Sequence, residues 1–91
     1  MIYFQTMEKY ELTIVLDAKA TAAKKKKVTE TVEKLVTLLK GKIGKVEDWG
    51  VKEAGLYLFF PLETPKSSVK MISTKMSQES QVLKYLLIRK Y

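Results

Sequence analysis

The residues of this 91-residue chain that can engage another molecule are cations and aromatic rings. Lys24-Lys25-Lys26-Lys27 is the densest run of charge, and the C-terminal stretch interleaves Lys84, Arg89 and Lys90 with Tyr85 and Tyr91. Tyr57 and Phe59 alternate within an apolar segment. Cations meet phosphate oxygens and rings stack on bases, so the chemistry on offer is polyanion binding. Catalysis has no matching set. Histidine and cysteine are both absent, which removes imidazole triads, thiolate nucleophiles and thiolate metal sites. The neighbouring carboxylates Glu47 and Asp48 point to opposite sides of an extended strand and do not converge as an acid–base pair. No phosphate loop or dinucleotide fingerprint occurs. Neither an enzyme nor a cofactor or metal is expected.

Each signal also has a structural reading. Successive helical residues turn by about 100°, so four lysines sweep most of a helix circumference instead of forming one flat patch. Lys24, one turn before Val28, can lay its methylene stem over the edge of a core. Positive charge in a first turn opposes the helix dipole, at about 0.3–1 kcal/mol per residue. Tyr85 alternates with Leu83 and Leu87 and suits a core position equally well.

The net charge of +7 is unevenly placed. Residues 18–42 hold eight lysines against two glutamates, and residues 66–91 hold six basic residues against one glutamate. Clustered excess of this kind favours a polyanionic partner, nucleic acid ahead of a membrane surface. No apolar run approaches the roughly 20 residues that span a bilayer. The absence of cysteine fits a reducing cytoplasm. Residues 1–6 read as a leader or appended extension ahead of a start at Met7, and residues 7–91 as one domain.

The elements that must position these groups follow from periodicity. In "YELTIVLD", Tyr10, Leu12, Ile14 and Leu16 share one face of a strand. Thr21 offers an N-cap to a helix running to about Lys40 and stopped by Gly41, with Val28, Val32, Leu35, Val36 and Leu39 as its apolar stripe. Ile43, Val46 and Trp49 are three apart, so a strand keeping all three on one face needs a bulge or strong twist. "GLYLFFPLE" is a strand with Leu58, Phe60 and Leu62 inward, and Pro61 is expected where pairing fades or at a bulge. Thr64–Pro65 reads as a helix start, followed by the stripe Val69, Ile72 and Met76. "QVLKYLLIRKY" closes the chain as a strand. The order β-α-β-β-α-β predicts an α+β ferredoxin-like plait: a four-stranded antiparallel sheet, order 4-1-3-2, with both helices on one face. An RNA-recognition motif shares this topology, but "AGLYLFFP" lacks the basic residue before its glycine and has Leu58 where an aromatic is expected.

"KYELTIVLD", "GKIGKVEDWGVKE", "GLYLFFPLETP" and "VLKYLLIRK" stand in an order and spacing that resembles the bacterial small-subunit ribosomal protein six family, from Glu8 to Lys90. In that family a longer arm normally follows the tryptophan–glycine stretch. Here Glu53 runs straight to Ala54–Gly55, a hairpin shorter by roughly ten residues, expected to close as a type I turn with Gly55 supplying the positive φ. The resemblance implies a structural, non-catalytic ribosomal component that binds the central domain of small-subunit rRNA together with ribosomal protein eighteen. It carries Lys9 and Tyr10 on the first strand and Lys84, Arg89 and Lys90 on the last as RNA-binding residues, with Lys45 and Lys52 completing the set. The alternative is an engineered or truncated domain with no retained RNA partner, monomeric or self-associating through a poorly shielded edge.

Overall fold

The structure, a computed structural model, describes residues 7–90, so the leader reading of residues 1–6 lies outside the described residues. The elements are β1 (Met7–Asp17), α1 (Ala22–Leu38), β2 (Lys42–Ile43), β3 (Glu47–Lys52), β4 (Gly55–Pro65), a short 3-10 turn (Lys66–Ser68), α2 (Val69–Gln78) and β5 (Lys84–Arg89). All strand pairings are antiparallel, in the order β2-β4-β1-β5 with β3 also beside β4. This is the expected plait with one change: the second strand is broken into β2 and β3, so the sheet has five strands where four were expected.

The break has a cause in Pro61. Gly44 donates its N–H to the Pro61 carbonyl at 2.7 Å, so the backbone polar groups of Pro61 face the β2–β3 edge. Proline has no N–H to return. The ladder is interrupted there, with Ile43 paired to Leu62 on one side of the gap and Glu47 to Phe59 on the other. Gly44 fits the gap because a Cβ at that position would stand 2.9 Å from the Pro61 ring. A second irregularity follows at once: Asp48 pairs with Leu58 and Gly50 with Tyr57, so Trp49 bulges out. Ile43 and Val46 pack on the core while Trp49 stacks on Phe59, on the other face of the sheet. The three residues therefore do not share a face.

One face of β1 (Tyr10, Leu12, Ile14, Leu16) and one of β4 (Leu56, Leu58, Phe60, Leu62) are buried in a single core with Val28, Val32 and Val36 of α1 and Ile72 and Met76 of α2. Both helices thus cover the same side. Each such side chain removed from water stabilises the fold by about 1.5–3 kcal/mol before entropy is counted.

The helix ends differ from the sequence reading in detail. Thr21 caps α1 as expected, its Oγ1 accepting from the Lys24 N–H at 3.2 Å. At the other end Lys40 takes the left-handed conformation (φ 63°). Its N–H donates to Thr37 and that of Gly41 to Val36, a Schellman closure with lysine where glycine is usual. Gly41 is needed for a different reason, since a Cβ would meet the Glu63 carbonyl oxygen at 2.8 Å. Thr64 is not an N-cap: β4 continues through it, paired with Glu8, and its Oγ1 is buried without a hydrogen-bond partner. In the β3–β4 hairpin the positive φ falls on Glu53 (54°) and not on Gly55, which is glycine because a Cβ there would overlap the Val15 side chain.

Candidate nucleic-acid interface

The face of the sheet away from the helices is the one free to meet a partner. Residues directly opposite across a ladder share a face, so register places the candidates. Lys42 lies opposite Glu63 and Glu63 opposite Lys9. Beyond the last ladder pair, the Lys90 N–H donates to the Lys9 carbonyl at 2.8 Å. Lys42, Glu63, Lys9 and Lys90 therefore form one row across the sheet, around a shallow depression of about 400 Å³ that also borders Gly44 and Pro61. All three lysines are exposed, and among the described residues Glu63 makes no ion pair with them.

The other candidates scatter. Lys45 is exposed in the gap between β2 and β3, next to Gly44 at the edge of this depression. Lys84 faces the same open side, opposite Val15, but about 20 Å along β5 from Lys90 at roughly 3.3 Å per residue. Lys52 pairs with Gly55, and Gly55 with Asp17, which puts Lys52 about 25 Å from Lys9. Arg89 is directed to the helix side and pairs with Glu8 at 2.9 Å. Tyr10 is a correction. The residue is 5% exposed within the core, opposite Leu62 on the helix side, and its hydroxyl donates to Glu8 at 3.3 Å, so its side chain is turned away from the open face. Its place is to hold Glu8 and, through it, Arg89.

Between the two ends runs an apolar band. Ile88 and Leu86 lie opposite Glu11 and Thr13, and are 45% and 58% exposed. Across β1, Pro61, Phe59 and Tyr57 lie opposite Glu11, Thr13 and Val15. The Tyr57–Phe59 platform considered from sequence is not bare: Trp49 lies over Phe59, ring centroids 4.8 Å apart and planes 11° apart.

The lysine run is mostly a solvated face. Lys25 is its half-buried member, and not Lys24 as expected, with its ammonium 3.0 Å from Asp48. That hydrogen bond, together with the Gly50 N–H donated to the same carboxylate at 2.8 Å, holds the Asp48 carboxyl below the usual carboxylate range. The pair ties the first turn of α1 to β3. Among the described residues no group of acidic side chains is arranged to hold a metal, and no helix is long and apolar enough to cross a membrane.

Lys42 escaped the sequence reading because nothing local distinguishes it. Only the register that sets it beside Glu63 and Lys9 does.

Comparison with known proteins agrees with this architecture. The family model for ribosomal protein S6 matches residues 9–89. The chain is 26% identical to the small ribosomal subunit protein bS6 of Pelagibacter ubique over 92 residues, covering 91% of this chain and 76% of that protein. It is 24% identical to bS6 of Dehalococcoides mccartyi over 93 residues, covering 92% and 85%. Among solved structures, 30S ribosomal protein S6 of Thermotoga maritima superposes with a TM-score of 0.81 at 18% identity, covering 93% of this chain and 89% of that one. The C-terminal domain of Mycobacterium tuberculosis MgtC shares the fold at a TM-score of 0.75 and 6% identity, covering 98% and 94%. The same plait serving such different proteins means that function has to be argued from surfaces.

Proposed function

The chain belongs to the ribosomal protein S6 family, whose members are structural components of the small ribosomal subunit and not enzymes, and from that premise we propose that it binds rRNA phosphates with the Lys42–Lys9–Lys90 end of its open sheet face. Family membership also gives it its place, the cytoplasmic ribosome. The observation that carries the RNA reading is the row itself: three exposed lysines brought together from β1, β2 and the chain's end, beside a single glutamate. Three cations within one row present a denser patch of positive charge to a phosphate backbone than the lysines dispersed around α1 do. Lys45 extends the row, while Lys52 and Lys84 serve a second strand or a distant turn of RNA.

Next to the row, the band of Leu86, Ile88 and Pro61 needs a protein cover. Ribosomal protein eighteen, the partner that the family resemblance implies, is the occupant we assign to it.

The test is assembly of this chain with protein eighteen and a central-domain rRNA fragment across a salt series. Affinity should fall steeply with salt, by about 0.7–0.9 in log K per tenfold salt for each phosphate contact. A flat salt dependence, or no complex at any salt, ends the proposal. The alternative of a self-associating domain has one observation in its favour. The outer edge of β5 carries no proline or bulge, and it exposes Leu86 and Ile88. Two chains of charge +7 repel, so such a dimer would strengthen with salt, the opposite sign.

A further inference from the structure

Trp49 is the side chain that the fold leaves underused. It bulges out between Asp48 and Gly50, lies parallel on Phe59, and is still 42% exposed. Covering Phe59 needs only one face of an indole. The Lys52 ammonium stands over the ring 5.6 Å from its centroid, and the indole N–H donates to Glu47 at 3.4 Å. Beside it, Gly50 has φ 76° and no atom within 4 Å of where a Cβ would be, so nothing crowds that flank of the bulge. Past Lys52 the chain reverses through Glu53 and Ala54 alone, so no longer arm overhangs the ring.

We propose that Trp49 is a stacking platform for one unpaired RNA base, with Lys52 taking the adjoining phosphate. The inference rests on the RNA-binding reading above and adds a contact midway along the open face, beyond the Lys42–Lys9–Lys90 row. Phe59 beneath the indole fixes the platform, so little freedom is lost when a base lands on it. An exposed ammonium over an indole contributes only a factor of a few in stability. A stacked base contributes about 5- to 100-fold in affinity. The base therefore displaces the ammonium, which is released to the phosphate. Glu47 sets the orientation. Its carboxylate repels phosphate from the indole N–H edge and directs the backbone to the Lys52 side. It can also accept from an exocyclic amino group, which adenine, guanine and cytosine have and uracil lacks.

Trp49 is the chain's single tryptophan, so its fluorescence reports on this site alone. Titration with a short oligoadenylate should quench it saturably, with weaker binding of oligouridylate. Trp49→Leu should weaken oligoadenylate binding about 5- to 100-fold without changing the salt slope, and Trp49→Phe should keep most of the affinity. Affinity of Trp49→Leu within twofold of the parent, or RNA binding by anisotropy with tryptophan emission unchanged, overturns the platform. If Trp49→Leu fails to fold by circular dichroism, the parent quench and the Trp49→Phe titration decide. Steeply salt-dependent binding of the rRNA fragment with silent Trp49 refutes only this inference. Absence of any RNA binding refutes both it and the reading on which it rests.

Discussion

Glu63 sits between Lys42 and Lys9 in the basic row, and replacing it should make RNA binding stronger. Neighbours across an antiparallel ladder have Cα atoms about 4.5–5.5 Å apart. That is well inside the Debye length of about 10 Å at 0.1 M salt, so the carboxylate offsets nearly one of the three lysine charges. One phosphate contact changes log K by about 0.7–0.9 per decade of salt. Relative to 1 M salt, one net charge is therefore worth about 5- to 8-fold in affinity at 0.1 M. Glu63→Gln should bind a central-domain rRNA fragment about 5- to 8-fold more tightly at 0.1 M, and Lys42→Gln about 5- to 8-fold more weakly. All three titrations should converge near 1 M. Fluorescence anisotropy of labelled RNA over 0.05–1 M salt, with protein eighteen present, reads both the shift and the slope. Glu63 has no ion pair among the described residues, so its loss leaves the fold intact and the comparison clean. A Glu63→Gln protein that binds no better than the parent, or a ratio that stays constant with salt, refutes the row as the phosphate site.

Three further outcomes concern the scaffold. Lys40 and Glu53 hold left-handed φ without being glycine, so Lys40→Gly and Glu53→Gly should each stabilise the protein by about 0.5–1 kcal/mol, seen as a thermal midpoint a few degrees higher; a drop in either midpoint contradicts the turn geometry. Thr64 is fully buried with an unpartnered hydroxyl, so Thr64→Val, of nearly equal shape, should raise the urea midpoint by the equivalent of about 1 kcal/mol, and a loss would mean the hydroxyl is satisfied. The Lys25 hydrogen bond depresses the Asp48 carboxyl, so its stabilisation is complete above the unfolded aspartate's pKa near 4 and is lost as pH falls through the lower folded value. With the pair about half exposed, the effect is at most about 0.5 kcal/mol, and between about pH 5 and 2 the parent should lose that much more stability than Asp48→Asn; parallel pH profiles would remove the pair from the account.

Much of the fold was legible because it repeats. Leu12, Ile14 and Leu16 at period two, and Val28, Val32 and Val36 at the helical period, are all buried where the pattern puts them. Pattern failed where one atom decided the outcome. Sequence places Pro61 where pairing fades or at a bulge, and β4 runs through it unbroken against β1. It is the neighbouring strand that breaks, because the missing N–H faces that way. Sequence assigns Gly41 to stopping α1 and Gly55 to a positive φ. In both cases the requirement is space, against the Glu63 carbonyl and the Val15 side chain, while a lysine and a glutamate carry the left-handed φ. A sequence shows that a glycine is present; it does not show whether a dihedral or a neighbour demands it.

The proposed binding surface is less legible than the core, and the reason lies in how each is built. A core face repeats along one element, so its period is visible in the chain order. The basic row runs perpendicular to the strands: Lys9, Lys42 and Lys90 are far apart in sequence and meet only through register. Register here is fixed by the same apolar alternation that builds the core, since a one-residue slip of β1 against β4 would turn Leu12 and Phe60 to solvent. The hydrophobic pattern thus places the lysines without encoding them. Dense runs of charge are correspondingly poor guides. Lys24–Lys27 was the most conspicuous signal in the chain, yet its half-buried member is committed to Asp48, while Lys42, inconspicuous in sequence, completes the row. For a plait of this kind the useful step from sequence to surface is to assign register from the buried residues first, and then read the open face across the strands.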